Sequence, residues 1–238
     1  MTTEADDQLR VRRLPDRARY ELQDVKAILA EGTIAHVGTI RDGLPIVIPM
    51  FYAVDGNDLL LHGAPAAGVL RRAGEPIEIC ATITIVDGLV LARSAFHHSM
   101  NYRSVVVIGV AEPVEDAAAK TAALDLFADK IVPGRQAELR PTTEKEIRGT
   151  SVLRLSLDRS SAKVRTGPPV DDEEDYDFDV WAGVIPVGTT FGEPVPDERL
   201  KDGIELPISI QRLFGSSVSL GAVYPNSAGS NGRVLRSQ

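Results

Sequence analysis

The 238-residue chain has little cysteine and few aromatic residues. Its single cysteine, Cys80, cannot form an intrachain disulfide, and one thiol is too few for a cysteine-based zinc or iron–sulfur site. No stretch approaches the roughly 18 consecutive apolar residues of a membrane-spanning helix, and the polar N-terminus lacks the apolar run of a secretory signal. We therefore expect a cytoplasmic protein that does not bind a membrane.

Two nucleotide-binding signatures are also missing from the chain. Neither a Gly-rich dinucleotide loop nor the G-x-x-x-x-G-K-[ST] phosphate loop occurs. The net charge of −8 opposes broad binding to the phosphates of nucleic acids. Most of this charge belongs to the carboxylates between Asp171 and Asp179, so the rest of the chain is nearly neutral and leaves room for one small anionic cofactor.

A polar arm over residues 1–19 contains a concentration of basic side chains. Its arginines are Arg10, Arg12, Arg13, Arg17 and Arg19. Because no aromatic residue that could stack on bases is interleaved among them, the pattern favours a solvated arm that docks on its own protein over a nucleic-acid patch. We expect no nucleic-acid partner.

Short apolar runs separated by turn residues dominate the chain from residue 33 onward. They predict strands over 33–40, 44–54, 58–63, 76–86, 89–96, 102–114 and 150–167. Dipeptides such as Asp87-Gly88 are typical of tight hairpins, so the strands are predicted to pair antiparallel. The pattern favours a mainly β fold, an antiparallel barrel with helical insertions.

Helical spacing or composition marks four segments: 21–31, 64–74, 115–132 and 143–149. The barrel domain is predicted to cover residues 20–212. Within it, 168–212 is expected to be an extended segment laid over the barrel and anchored by Trp181, the only tryptophan. Residues 213–238 are rich in Ser, Gly and Asn and are predicted to form a flexible tail.

The densest set of reactive side chains lies in residues 93–105, RSAFHHSMNYRSV. Two adjacent histidines, an amide, a phenol, a guanidinium and a hydroxyl suit an anionic or carbonyl-bearing ligand. On a strand, His97 and His98 would point to opposite faces, and hydrogen-bonded loop histidines are the plain alternative. No metal site is predicted, because no H-x-H pair or companion carboxylate cluster accompanies them.

Two further places could bind a phosphate. Lys163 and Arg165 share one face of a predicted strand, although a solvated basic face is the commoner case. His62 and Gly63 precede a predicted helix whose N-terminus would present free N–H groups. His36, inside an apolar strand, is interpreted as a core or interface histidine.

Several of these segments resemble the pyridoxamine 5′-phosphate oxidase-like flavin-nucleotide-binding family, in the branch that includes nitroimidazole-resistance proteins. The resembling segments are 12–21, 42–56, 59–63, 87–114, 133–147, 161–169, 179–186 and 200–207, and DGLVLARSAFHHSMNYRSVVVIGVAEPV (87–114) is the most specific of them. The resemblance extends from about residue 10 to residue 212.

The resemblance implies a split β-barrel that forms a homodimer, with flavin mononucleotide (FMN) in clefts between the subunits. It implies ring contacts from Pro49, Met50, Phe51 and Tyr52. It implies a phosphate cradle over 62–70 that includes His62 and Gly63; the family often has a serine followed by Arg or Lys where this chain has Ala67 and Gly68. The remaining implied cofactor contacts are Asn101, Arg103, Ser104, Lys163, Arg165 and Trp181.

The function implied is a flavin-dependent oxidoreductase that acts on a small acceptor, with nitro compounds as one candidate class. His97, His98 or Tyr102 would donate a proton, Arg103 would bind an anionic group, and His62 competes with the His97/His98 pair as the histidine near the flavin. The alternatives are a non-catalytic flavin- or haem-binding protein, with His97 or His98 on the iron, and a deazaflavin-dependent reductase.

Overall fold

The computed structural model describes residues 8–64 and 75–215, and the chain divides into two units, Met1–Thr189 and Thr190–Gln238. The described part of the first unit contains nine strands in one antiparallel sheet. They are β1 (Ala18–Arg19), β2 (Ile34–Arg41), β3 (Leu44–Asp55), β4 (Asp58–Gly63), β5 (Ile77–Leu91), β6 (Ser99–Pro113), β7 (Ser151–Ser156), β8 (Ser160–Arg165) and β9 (Gly183–Pro186).

Six of these strands close a barrel in the order β6-β7-β4-β3-β2-β5, because β5 also pairs with β6. Outside this ring, β8 pairs with the first half of β6, β1 pairs with β8, and β9 pairs with the end of β5. The predicted mainly β, antiparallel fold is therefore confirmed. The pairing of Ala18 and Arg19 with β8 places the end of the N-terminal arm on the sheet edge of its own chain.

The barrel core is built by alternation along the strands, since successive side chains point to opposite faces. Val37, Ile83, Val105 and Leu61 point inward and are fully buried. The predicted first helix, α1 (Leu22–Glu31), packs Val25, Ile28 and Leu29 into the same core. α1 thereby closes one end of the apolar interior.

Two more predicted helices are confirmed. α2 (Ala117–Ile131) begins at Asp116, whose carboxylate accepts from the Ala119 N–H at 2.8 Å, and it packs Phe127 against the outside of β3 and β4. α3 (Glu144–Arg148) begins with a capping box between Thr143 and Glu146. The helix predicted over 64–74 lies almost wholly outside the described residues.

The predicted turn at Asp87-Gly88 is wrong. β5 runs through both residues with only a shift of register between Val86 and Gly88, and the chain reverses instead over residues 92–98. Gly88 is buried against β9, where an added Cβ would lie 3.0 Å from Val184 Cγ1. Glycine at this position therefore allows β9 to pack closely against β5, and no turn is needed to explain it.

The segment after β8 contains a 3₁₀ turn, Glu173–Asp177, and then β9. Trp181 is 66% exposed, so the prediction that it anchors this segment is wrong. The attachment comes instead from β9 and from the acidic residues described below.

The second unit is described through Gly215 and contains the helix α4 (Ile208–Gly215). α4 includes the first three residues of the predicted tail, and the rest of that tail lies outside the described residues. No helix within the described ranges combines the length and apolar character needed to cross a bilayer.

Candidate functional site

The loop that joins β5 to β6 is hydrogen-bonded to the acidic segment that follows β8. The carboxylate of Asp171 accepts from the Arg93 N–H at 2.9 Å and from the Arg93 guanidinium at 3.0 Å. The same guanidinium lies 4.6 Å from the centre of the Tyr176 ring. Residues 78 positions apart are thereby fixed side by side.

The hydrogen bonds of this network favour the charged form of Asp171. Burial alone would raise the pKa of Asp171, but hydrogen bonds from the backbone and side chain of Arg93 and from the Ser94 N–H outweigh it and lower that pKa. The side chain of Asp171 is therefore a carboxylate even though it is shielded from solvent.

His97 and His98 differ in their contacts, although they are adjacent. His97 Nε2 lies 3.2 Å from Asp172 Oδ2, and one ligand atom each from His97, Asp172 and Asp175 lie within 4.8 Å of one another. His98 Nδ1 accepts from the Ala92 N–H at 3.2 Å. The expectation that His97 has no carboxylate cluster nearby is wrong, because the carboxylates come from a distant part of the chain.

Lys163 and Arg165 share a face as predicted, opposite Ser104 and Tyr102 of β6. Arg165 is buried and donates to Asn101 Oδ1, to Gly167 O at 3.2 Å and to Pro168 O at 3.1 Å.

Buried Asn101 also donates to Gly167 O, at 3.1 Å. Asn101 and Arg165 therefore stabilise the chain where it leaves β8. Lys163, half-buried beside Ser104, is the more accessible cation of this pair of strands.

Arg103 projects on the other face of β6. Its guanidinium donates to both oxygens of Asp87 at 2.9 and 2.8 Å and to Glu31 at 2.6 Å. These hydrogen bonds, first with Asp87 and then with Glu31, raise the pKa of Arg103. In the structure Arg103 connects β6 to β5 and α1, and its predicted contact with a cofactor stays a prediction.

The four consecutive residues predicted to contact a flavin ring differ in position. Pro49 is exposed on the outside of the barrel, and Phe51 lies half-buried with its ring centre 6.2 Å from that of Phe127. Met50 packs against the barrel core. Tyr52 is fully buried, and its hydroxyl donates to Leu29 O at 2.8 Å. Pro49, Met50 and Phe51 therefore keep some exposed surface, and Tyr52 keeps none.

His62, near the end of β4, packs edge-on against Phe127 with ring centres 4.1 Å apart. Its partial burial lowers the pKa of His62, which favours the neutral form of the imidazole. Gly63 ends the strand, and Ala67 and Gly68 of the predicted phosphate cradle lie outside the described residues.

The outside of the barrel carries an apolar surface that sequence reasoning missed. This outer face comprises the outward residues of β2, β3, β5 and β6, with Pro49 paired to His36, and His36 to Thr82. Exposed Ile34, Ile40 and Val47 surround this row. His36 is exposed, so the core interpretation of this residue is wrong.

Comparison with known families and structures gives a consistent result. Residues 21–164 match the family model for pyridoxamine 5′-phosphate oxidase. The flavocytochrome Anf3 from Azotobacter vinelandii is 42% identical, over 87% of this chain and 97% of that chain, with a TM-score of 0.82. A FAD and haem binding protein from Mycobacterium smegmatis is 33% identical, over 83% of this chain and 97% of that chain, with a TM-score of 0.79.

A third structure shares the fold alone. A protein from Bacteroides thetaiotaomicron described as a 5-nitroimidazole antibiotic resistance protein is 23% identical over 62% of this chain and 86% of that chain, with a TM-score of 0.52. A search of functionally curated proteins finds no match.

Proposed function

Because the chain belongs to the pyridoxamine 5′-phosphate oxidase family, we propose that it is a flavocytochrome that binds a flavin and a haem and transfers electrons between them. The observation that carries this proposal is the 42% identity to a flavocytochrome over 87% of this chain and 97% of that chain. A FAD and haem binding protein with 33% identity over nearly the same length supports it.

The residues on the barrel surface suit a flavin. An isoalloxazine ring needs apolar surface, which half-buried Phe51 offers beside α2. Its phosphate needs donors, which Lys163 and Ser104 offer on paired strands. These groups would bind and orient the flavin, while the chemistry of electron exchange belongs to the flavin itself. FMN is the flavin that the sequence predicts, and FAD is the flavin of the similar Mycobacterium protein.

The residues present also suit a haem. Histidine is a common axial ligand of haem iron, and the chain has four histidines, all within the described ranges. The porphyrin needs an apolar surface, and the outer face supplies exposed aliphatic side chains around an exposed imidazole. The histidines and the apolar outer face are thus compatible with a bound haem.

A homodimer is part of the proposal. Ile40 and Val47 of the outer face are 69 and 64% exposed, and neighbouring exposed apolar side chains of this size mark an interaction surface. A second copy that packs over this face would shield these side chains together with the cofactors bound against them.

Cofactor extraction from the purified full-length protein tests the proposal. We expect flavin absorbance together with a Soret band, and release of FMN or FAD identified by mass after denaturation. Reduction by a nicotinamide donor, followed by oxidation with a small acceptor, would extend the proposal to oxidoreductase activity, with Tyr102, His97 and His98 as candidate proton donors. A deazaflavin in the extract would replace the flavin in the proposal. Protein that takes up neither added flavin nor haemin would contradict it.

A further inference from the structure

We propose that His36 is the axial ligand of the haem iron and that the porphyrin lies against the outer face of the barrel. The inference rests on the haem binding proposed above. The chain offers four imidazoles, at His36, His62, His97 and His98, and their contacts distinguish them.

The His97/His98 pair expected from the sequence to ligate haem is poorly prepared for it. A histidine that binds iron needs a free nitrogen lone pair, usually that of Nε2. His97 Nε2 already lies 3.2 Å from the Asp172 carboxylate. His98 Nδ1 accepts from the Ala92 N–H, so the neutral ring carries its proton on Nε2. Each residue would have to break a contact before it could bind iron.

His62 has the required neutral ring but little space. Its imidazole packs at 4.1 Å, centre to centre, on the Phe127 ring of α2, and Phe51 packs on the same phenylalanine. The iron lies at the centre of a wide, flat porphyrin, so the ligating nitrogen must have open space on all sides for the ring. Phe127 fills this space on one side of His62.

His36 stands on an open and level part of the sheet. Its strand neighbours across the ladder are Pro49 on β3 and Thr82 on β5, which are shorter than an extended imidazole. The next outward residue on β2 is Gly38, where even an added Cβ would make only ordinary contacts of 3.6–3.8 Å. A flat apolar group can therefore approach the His36 ring.

The side chains around this opening are of the kind that a porphyrin prefers. Ile34 and Ile40 flank His36 along β2 and are 42 and 69% exposed, and Val47 on β3 is 64% exposed. Burying these aliphatic groups under a porphyrin would be favourable. Cys80, paired with Gly38 on the same face, is the competing iron donor.

The test is a titration of haemin into the purified full-length protein and its single variants. For His36→Ala we expect binding weakened by about 100-fold or more, since loss of a mere supporting partner of a metal ligand already costs about 10- to 100-fold. The absorption bands of a histidine-ligated haem should also be absent in both oxidation states. Added imidazole should restore them in His36→Gly by occupying the vacated position.

Matched variants decide between the donors. His62→Ala, His97→Ala, His98→Ala and Cys80→Ser should bind haemin as the unchanged protein does, and circular dichroism and thermal unfolding confirm that every variant is folded. If His36→Ala binds haemin normally while another variant loses it, the ligand inference is overturned and the flavocytochrome proposal stands. If the unchanged protein binds flavin but no haemin, both the inference and the haem half of the proposed function are overturned.

Discussion

At the scale of single residues, Asp171 holds the acidic segment against the loop between β5 and β6. Asp171→Asn keeps the shape of the side chain but removes the charge that pairs with Arg93. We expect the segment around the 3₁₀ turn Glu173–Asp177 to become cleavable by protease at neutral pH. Asp179→Asn, in the same segment but exposed, is the control.

The same contact makes a prediction about pH for the unchanged protein. The pKa of Asp171 is lowered in the folded state, despite burial, by hydrogen bonds from Arg93 and Ser94. A lowered carboxyl pKa stabilises the fold above the unfolded-state value of about 3.9, and that stabilisation is lost as the pH falls from there through the folded-state pKa. Protease sensitivity of the segment should therefore rise below about pH 4, and a sensitivity independent of pH would contradict the assigned role.

Gly32 marks the tightest point between α1 and the barrel. An added Cβ would lie 2.5 Å from Ile83 Cγ2 and 2.7 Å from the Tyr52 hydroxyl. We expect Gly32→Ala to lower the free energy of unfolding by about 1–3 kcal/mol through overpacking. Gly38→Ala, where the new Cβ meets nothing closer than 3.6 Å, should leave it nearly unchanged in the same denaturant titration.

At the scale of elements, β9 depends on a glycine in the strand beside it. In Gly88→Val, the added side chain would meet Val184 Cγ1 and Ile185 O, 3.0 and 3.1 Å from the position of Cβ. We expect β9 to separate from β5, which faster hydrogen exchange of the amides of Gly183, Val184 and Ile185 would report. Exchange in β3 and β4, which do not pair with β5, is the internal control.

Gly88 also shows what the sequence can predict about elements. Most of the strands and three helices follow from local signals, such as the apolar run of β2 and the Asp116 cap of α2, but β1 and β9 were not predicted. Asp-Gly is a local signal for a hairpin as well. At Gly88 it is overridden by a partner strand that lies about a hundred positions later in the chain, which no local pattern contains.

The candidate site was less predictable for the same reason. The chemical types in residues 93–105 are visible in the sequence, but their partners are not. Arg103 pairs with Glu31 from α1, and Arg93 pairs with Asp171 from beyond β8. The exposed position of His36 depends on which face of β2 turns inward, and an apolar strand does not reveal that by itself.

At the scale of the whole molecule, the apolar outer face predicts a dimer. Val47→Glu should shift the protein towards a monomer in light scattering after gel filtration, because an unpaired carboxylate buried in an apolar interface costs about 2 kcal/mol or more, roughly 30-fold in Kd. Ile131→Glu changes a similarly exposed residue, 62% against 64%, on α2 and should leave the dimer intact. A monomeric unchanged protein would contradict the predicted interface.

The closure of the barrel has a consequence for how the chain folds. β5 and β6 are neighbours in sequence and pair over most of their length, so this hairpin can form early. The ring is complete only when β4 pairs with β7, for example at Asp58 and Ser156. All of the chain between these two residues forms the loop that this pairing closes. Closing so long a loop is entropically costly and slow. Until it happens, the unpaired edges of β4 and β7 are the places where a newly made chain is most exposed to aggregation.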